Sequence, residues 1–228
     1  MKNLYVSDLK MVLLEICITS LRPGEGKSTL LEAFTHYLRR NNDQGIVFLA
    51  LRELNKIITN RTYIKEEKID IAQFEVSLKL YKSHNIMFIT YDYQYVQVPE
   101  IKAYSYARTY TRNFAQRNNI QLIINEAPYS ITYAYEIASS SEITLLVVTP
   151  YDIDSLKRVL PRLEPSTIII FNMYNISPRS IEDLEKKFKD KQVFLVPYEE
   201  DVLKRRTKFL KVVKAVMKEA KIYLKMGI

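Results

Sequence analysis

The stretch ITSLRPGEGKSTLLEAF, residues 18–34, holds half of the glycines of this chain. Only four glycines occur in 228 residues, and two of them, Gly24 and Gly26, lie here. An apolar run precedes them and residues with helical periodicity follow, which predicts a strand, a turn and a helix. Backbone N–H groups of such a turn and of the first helical turn point at an anion, and Lys27 and Ser28 follow directly. The stretch therefore predicts a phosphate-binding loop.

Nucleotide binding gives the residues of this loop defined roles. Lys27 is expected to pair with the β- and γ-phosphates, where it is the catalytic lysine, and the Ser28 hydroxyl to complete the coordination of Mg²⁺. The common pattern has a glycine five residues before Gly26, but Leu21 occupies that position. The predicted cofactors are ATP or ADP with Mg²⁺. The expected phosphate contacts are Pro23, Gly24, Glu25, Gly26, Lys27, Ser28 and Thr29.

Short apolar runs alternate with helical stretches along the rest of the chain. Strands are predicted near Val12, Ile46, Ile86, Ile120, Ile143, Thr167 and Gln192, and their apolar residues are mostly consecutive, as in a sheet covered on both faces. Helices are predicted over residues 27–40, 69–83, 99–118, 130–139, 153–163, 178–189 and from about 200 onward, and residues 52–68 as an irregular excursion. The order predicts one α/β domain over 1–228, with a three-layer, doubly wound, mostly parallel sheet of about seven strands and helices on both faces.

The composition narrows the class of protein. No apolar run is long enough to span a bilayer and the amino terminus lacks a signal pattern, so we expect a soluble, cytoplasmic protein. The single cysteine, Cys17, excludes a disulfide framework and a cysteine-based metal site. His36 and His84 have no acidic or sulfur neighbours at ligand spacing. The net charge of +8 favours an anionic partner.

Residues 19–29, TSLRPGEGKST, resemble the deviant phosphate loop of the partition and cell-division ATPases of the ParA/MinD group, which are P-loop NTPases. The closest form is the PGEGKS loop of bacterial tyrosine kinases. In ParA/MinD proteins a signature lysine precedes the loop glycines and reaches the nucleotide of the partner in a dimer. Arg22 occupies that position here. The resemblance thus implies a homodimer around ATP with Arg22 as a trans contact, although the planar fork of arginine differs from a lysine's point charge.

Two carboxylates of the family pattern are missing. The strands that end in aspartate in the family have Ala50 and Asn125 at the corresponding positions. Asn125 can bind Mg²⁺ through a water molecule, but it cannot act as a base. Glu126 is displaced by one position, which on a strand turns a side chain to the opposite face, so we do not expect it to restore the site. ATP hydrolysis should therefore be slow or depend on a partner.

The resemblance continues toward the carboxyl end. IIIFNMYN (168–175) and VFLVPYEEDV (193–202) are similar to the segments that embrace adenine in the family. This likeness nominates Asn172 and Pro197 as nucleotide contacts. Tyrosine kinase activity is not expected, because the paired aspartates of those kinases are absent and their terminal tyrosine cluster is reduced to Tyr223.

The last predicted helix is amphipathic, with lysines on one side and apolar residues on the other. The basic side is a solvated face, a nonspecific DNA surface or a membrane-surface helix. In a second basic stretch, 101–117, arginines are interleaved with tyrosines. These side chains either bind nucleic acid, or the tyrosines pack under the helix. The lysines of the last helix that would contact nucleic acid are Lys204, Lys208, Lys211, Lys214, Lys218 and Lys221.

The resemblance favours DNA, because partition ATPases bind it through basic surfaces near their carboxyl terminus. The division-site proteins use a membrane helix after a linker, and no such linker is recognisable here. The first hypothesis is a switch protein that dimerises around ATP, associates with DNA and acts with a ParB-like partner protein in DNA partition or positioning. The alternatives are a noncatalytic nucleotide-binding module that presents its basic helix to nucleic acid or protein, and a membrane-surface positioning factor.

Overall fold

One nine-stranded sheet organises the chain in a computed structural model that describes residues 13–41, 45–51, 61–71, 74–94, 100–128, 140–176, 188 and 190–226. Four α-helices lie in this described part: α1 (Lys27–Arg40), α2 (Glu100–Arg117), α3 (Ile153–Val159) and α4 (Val202–Met226). The strands are β1 (Leu14–Ser20), β2 (Ile46–Leu51), β3 (Thr62–Ile71), β4 (Phe74–Ser83), β5 (Ile86–Gln94), β6 (Leu122–Glu126), β7 (Ile143–Val148), β8 (Thr167–Asn172) and β9 (Val193–Val196).

The strand order is β3-β4-β5-β2-β6-β1-β7-β8-β9. The seven strands from β5 to β9 in this order pair in parallel. They are the seven strands that the sequence predicts, so the doubly wound α/β fold is confirmed. After β1 the chain extends the sheet on one side, and from β7 onward it extends the other side. In such sheets ligands bind beyond the carboxyl ends of the strands, at the point where the direction of winding changes. The loop that follows β1 lies at this point.

The remaining two strands correct the sequence analysis. The predicted helix over 69–83 is wrong, since β4 covers most of it and pairs antiparallel with β3 and β5. Val76, Leu78 and Leu80 are buried, whereas the residues between them are half exposed, which is the period of two of a strand. The predicted excursion is partly wrong, because residues 62–68 belong to β3. Residues 52–60 lie outside the described part.

The helices cover both faces of the sheet. The core on one face joins β1, β6 and β7 to α1 and α4, through residues such as Ile16, Phe34 and Phe209. The opposite face packs on α2 and α3 in two separate clusters. Among the described residues, no helix is long and apolar enough to cross a membrane.

The helices predicted at 27–40 and 99–118 are confirmed, and the one from about residue 200 begins at Val202. The helix predicted over 153–163 changes to a 3₁₀ turn at Leu160, because Pro161 lacks the N–H that would continue it. The helix predicted over 130–139 lies outside the described residues, as does the one over 178–189 except at residue 188.

Candidate phosphate-loop site

The turn between β1 and α1 depends on two glycines with left-handed backbone angles. Gly24 has a φ of +81° and Gly26 a φ of +106°, a region that side chains disfavour. A Cβ on Gly24 would meet no atom within 4 Å, whereas a Cβ on Gly26 would lie 2.5 Å from Asn172 Nδ2. Gly24 is therefore required by the backbone alone, and Gly26 by the backbone and by the close approach of Asn172.

Helix α1 starts directly after this turn, and its positive end faces the turn. Its N-cap is Gly26, which has no side chain to cap the first turn, and no acidic residue lies in that turn. The N–H groups at the start of a helix have no partners within it and favour an anion. Ser28 is exposed and Lys27 and Thr29 are half-buried, while Pro23 and Gly24 are exposed on the turn. The arrangement fits the phosphates of a nucleotide.

A carboxylate lies beside the first turn of α1. The Ser28 hydroxyl donates a hydrogen bond to Glu126 Oε1 at 3.1 Å. Glu126 ends β6 on the face that carries Leu122 and Ile124, and this face packs on α1. The expectation that Glu126 faces away from the loop is therefore wrong. Serine and carboxylate oxygens are ligands suited to Mg²⁺.

Asn125 points to the opposite face of the sheet, so the structure does not support it as the water-mediated metal contact. Its amide nitrogen donates to the fully buried Glu15 carboxylate, which Arg108 of α2 also contacts through two nitrogens. Arg112 lies 3.4 Å from the same carboxylate. Asn125 thus belongs to a buried polar cluster under α2, and Glu126 is the residue of β6 that lies beside Ser28.

Glu25 shapes the first part of the loop. Its side chain is 3% exposed, and Oε2 accepts hydrogen bonds from the backbone N–H groups of Leu21 (2.9 Å) and Arg22 (3.2 Å). Burial, followed by a hydrogen bond with the neighbouring Asp152 side chain, raises the pKa of Glu25 to about 8, although the two backbone N–H groups act in the opposite direction. Burial therefore favours the protonated form of Glu25.

Arg22 contacts a carboxylate of its own chain. Its Nε lies 2.6 Å from Asp152 Oδ1, and the guanidinium side chain remains 55% exposed while Asp152 is 2% exposed. The Thr149 hydroxyl donates to Asp152 Oδ2 at 2.8 Å. The trans role of Arg22 stays a prediction, since it concerns a second copy of the chain.

Asn172, at the end of β8, connects the sheet to the phosphate loop. It is fully buried, and its Nδ2 donates to the carbonyl oxygen of Glu25 at 2.7 Å. Pro197 follows β9 and is half-buried, and the next N–H, of Tyr198, donates to Asn175 Oδ1 at 2.5 Å. The turns after β8 and β9 are thus connected. Contact of Asn172 and Pro197 with the base stays a prediction.

The basic side of α4 is exposed along its length. Its apolar side, which includes Phe209, Val213 and Val216, is buried against the sheet and α1. In α2, by contrast, Tyr104 is buried and Arg108 forms an ion pair with Glu15. Contacts within the chain therefore explain much of the basic and aromatic stretch 101–117. Each of the six predicted lysines of α4 is exposed: Lys204, Lys208, Lys211, Lys214, Lys218 and Lys221.

Comparison with known proteins supports the fold. No protein-family model matches the sequence, and no curated protein matches it either. Among solved structures, the MinD cell-division protein of Aquifex aeolicus in its complex with MinC superposes with a TM-score of 0.58 at 15% identity, over 90% of this chain and 96% of that one. A plasmid partition protein from Borrelia burgdorferi gives 0.51 at 12% identity, over 88% and 97%.

A LAO/AO transport system kinase gives a TM-score of 0.56 at 15% identity and covers 94% of this chain. The present chain spans 63% of the length of that kinase. These proteins are P-loop NTPases of the class that includes ParA and MinD. The likeness of the loop sequence to the ParA/MinD group is therefore accompanied by a likeness of the whole fold.

Proposed function

We propose that this chain is a nucleotide-binding switch protein of the ParA/MinD type, which binds ATP or ADP with Mg²⁺ and dimerises in the ATP-bound state. The hydrogen bond from Ser28 to Glu126, at the start of a helix that follows two left-handed glycines, is the observation that carries the proposal. A metal ion bound by the Ser28 hydroxyl would have a carboxylate beside it, as a Mg²⁺–nucleotide complex requires. Mg²⁺ would neutralise phosphate charge and orient the terminal phosphate.

Hydrolysis in this proposal is slow or depends on a partner. Ala50 stands at the end of β2 where the family pattern has an aspartate, and it is buried and offers no base. Glu126 already accepts from Ser28, which suits the metal rather than the attacking water. A protein of this kind signals through the nucleotide that it holds and through dimerisation. The complex of MinD with MinC illustrates a protein partner for a neighbour of similar fold; a ParB-like partner for this chain is our proposal.

The nucleotide test is a titration with ATP and Mg²⁺ that follows binding and phosphate release together. We expect the wild type to bind, Lys27→Ala to lose binding, and Glu126→Gln to bind with a weaker dependence on Mg²⁺. Glu164→Gln is the matched control, because Glu164 is exposed just before β8, at the opposite ends of the parallel strands from the loop. Binding that Lys27→Ala leaves unchanged would contradict the proposal. Binding without release in the wild type would favour the noncatalytic module.

Dimerisation is tested by light scattering with ATP and with ADP. The switch predicts a dimer with ATP only. Arg22→Ala should abolish the dimer if Arg22 reaches the partner's nucleotide. If the dimer forms equally with Arg22→Ala, the trans role is wrong while nucleotide binding stands.

For the basic side of α4 we propose association with DNA. An interfacial membrane helix inserts its apolar face between lipids. In α4 that face is already buried in the core, with Phe209, Val212 and Val213 at most 2% exposed. Six of the exposed side chains of α4 are lysines, beside Leu203, Thr207 and Ile222. Lysines interact with phosphates through charge. This observation favours DNA over the membrane-surface factor.

Binding to duplex DNA and to vesicles rich in anionic lipid, compared at one salt concentration, decides between the two partners. We expect DNA to bind more tightly, with a further gain in the presence of ATP. Preferential binding to vesicles would contradict the DNA proposal, and no binding to either would leave α4 with a solvated face.

A further inference from the structure

Two buried carboxyl groups meet beneath the phosphate loop. Glu25 is 3% exposed and Asp152, in the 3₁₀ turn after β7, is 2% exposed. Arg22 contacts both of them, because its backbone N–H donates to Glu25 Oε2 and its Nε lies 2.6 Å from Asp152 Oδ1. A hydrogen bond between the two carboxyl side chains contributes to the raised pKa of Glu25. One is in the loop itself, and the other is in a different part of the fold, so their contact fixes the loop to the sheet.

Two buried oxygens of the pair, Glu25 Oε1 and Asp152 Oδ1, have no hydrogen-bond donor. Asp152 Oδ2 receives a hydrogen bond from Thr149, and Asp152 Oδ1 forms an ion pair with the Arg22 guanidinium at 2.6 Å. Glu25 Oε2 receives two backbone N–H groups, but Glu25 Oε1 is buried and has no donor if both groups are ionised. Two carboxylates cannot hydrogen-bond to each other, because neither has a proton to donate. Like charges in one buried place also disfavour double ionisation.

We propose that Glu25 and Asp152 share one proton and that this proton latches the phosphate loop in the shape that binds nucleotide. The latch rests on the proposed function, because it acts on the same loop. The proton resides on Glu25, since Arg22 and Thr149 already compensate the charge of Asp152. Glu25 is thus a positioning residue, which contacts the loop backbone.

The surroundings of Glu25 define how the latch responds to pH. Asp152 acts on it directly, and Arg22 contacts Asp152 on the other side. Leu21 and Asn172 contribute neutral groups, and Lys27 follows two residues later in α1. Burial and Asp152 together raise the pKa of Glu25 to about 8. Above that pH the two carboxylates repel each other, and the loop from Leu21 to Gly26 loses its fixed position.

The first test is nucleotide affinity as a function of pH. With only the protonated form competent, the apparent Kd should rise about tenfold between about pH 7 and about pH 9. Glu25→Gln keeps an acceptor for the two N–H groups and supplies a permanent donor to Asp152, so its Kd should stay nearly constant. Comparing the two proteins at each pH cancels the titration of the nucleotide. Asp154→Asn is the matched control, because Asp154 is 88% exposed in the next turn and should behave as wild type.

Asp152→Asn provides a second, independent variant. Its amide donates to an ionised Glu25 and removes the like charge, so the loop should stay fixed when Glu25 ionises and the loss of affinity near pH 8 should disappear. A wild-type pH profile that Glu25→Gln reproduces would overturn the proposal.

A readout that needs no nucleotide separates failure of the latch from failure of the proposed function. The infrared band of a protonated carboxylic acid should be present at neutral pH, titrate near pH 8 and be absent from Glu25→Gln. If the band is present but no nucleotide binds at any pH, the proposed function is wrong and the shared proton stands. If nucleotide binds but the band is missing at neutral pH, the latch is wrong.

Discussion

The shape of this phosphate loop depends on a side chain at a point where the common pattern has a glycine. Leu21 stands where the common pattern has a glycine; it is buried and its φ is not positive. The N–H groups of Leu21 and Arg22 are taken up by the Glu25 carboxyl instead. The Glu25 side chain therefore fixes the start of the turn, where the common pattern has a glycine. The left-handed backbone angles of the turn lie at Gly24 and Gly26.

Replacing each glycine by alanine should separate backbone strain from the contact with Asn172. Both changes place a Cβ in a left-handed conformation, which costs about 1–2 kcal/mol of unfolding free energy. Gly26→Ala should cost more and should weaken nucleotide binding more than Gly24→Ala, because only its Cβ would meet Asn172 Nδ2, at 2.5 Å. Chemical denaturation and nucleotide titration measure the two effects.

Gly26→Ala combined with Asn172→Ala provides the control. The added loss should shrink when the amide is removed, because the steric conflict disappears while the left-handed strain stays. Equal costs for the two single variants would contradict the role assigned to Asn172.

The residues at the proposed metal site, Asn125 and Glu126, are the ones whose orientation is predicted wrongly from the sequence. The family pattern places the missing aspartate at Asn125, and the alternation of a strand then predicts that Glu126 lies on the opposite face. The side chains of β6 do alternate, but the face that packs on α1 carries Leu122 and Ile124, and Glu126 lies on this same face. Leu122, Ile123 and Ile124 are all apolar and buried, so the sequence does not tell which face of β6 packs on α1. Asp152 gave no signal, because its contact with Glu25 depends on tertiary structure.

At the scale of elements, α2 is joined to the sheet by charge as well as by apolar packing. Glu15 in β1 is fully buried and meets Arg108, whose guanidinium also donates to Ser140. A buried carboxylate without a partner is strongly unfavourable, so the position of α2 and the stability of β1 depend on each other.

Arg108→Leu should therefore lower the free energy of unfolding by about 3–5 kcal/mol, since it leaves the Glu15 charge buried without its main partner. Arg117→Leu is the control, because Arg117 is exposed at the end of the same helix and should change stability by less than about 0.5 kcal/mol. Urea denaturation measures both. If Arg108→Leu combined with Glu15→Gln were as unstable as Arg108→Leu alone, the unpaired charge would not be the cause.

The hairpin of β3 and β4 shows how an element is misassigned from sequence. Residues 69–83 contain enough apolar and charged residues to satisfy a helical pattern, yet Val76, Leu78 and Leu80 follow a strict alternation. Short segments fit both periods, and pairing with β5 decides between them. The seven parallel strands were predictable because their consecutive apolar residues require cover on both faces.

At the scale of the whole molecule, the excess positive charge has a defined location. Helix α4 uses one side for the core and leaves six lysines exposed, from Lys204 to Lys221, along about 26 Å of helix. The phosphates of a DNA duplex can contact several lysines of such a row at once, whereas scattered lysines would contact them one at a time. Because part of the net charge of +8 lies in this row, we predict that the affinity for DNA depends on the salt concentration.

The salt dependence of DNA binding should report how many of these lysines meet phosphates. Each contact contributes about −0.9 to the slope of log K against log salt, so six contacts give a slope of about −5. Lys211→Gln, Lys214→Gln and Lys218→Gln together should reduce the magnitude of the slope by about 2.7, because three contacts are lost. Lys157→Gln, Arg158→Gln and Arg162→Gln together control for net charge, since they remove three exposed positive charges from α3 and the turn that follows it. An unchanged slope in the triple variant would place the DNA contacts on another surface, whereas the expected reduction would make α4 the principal DNA contact.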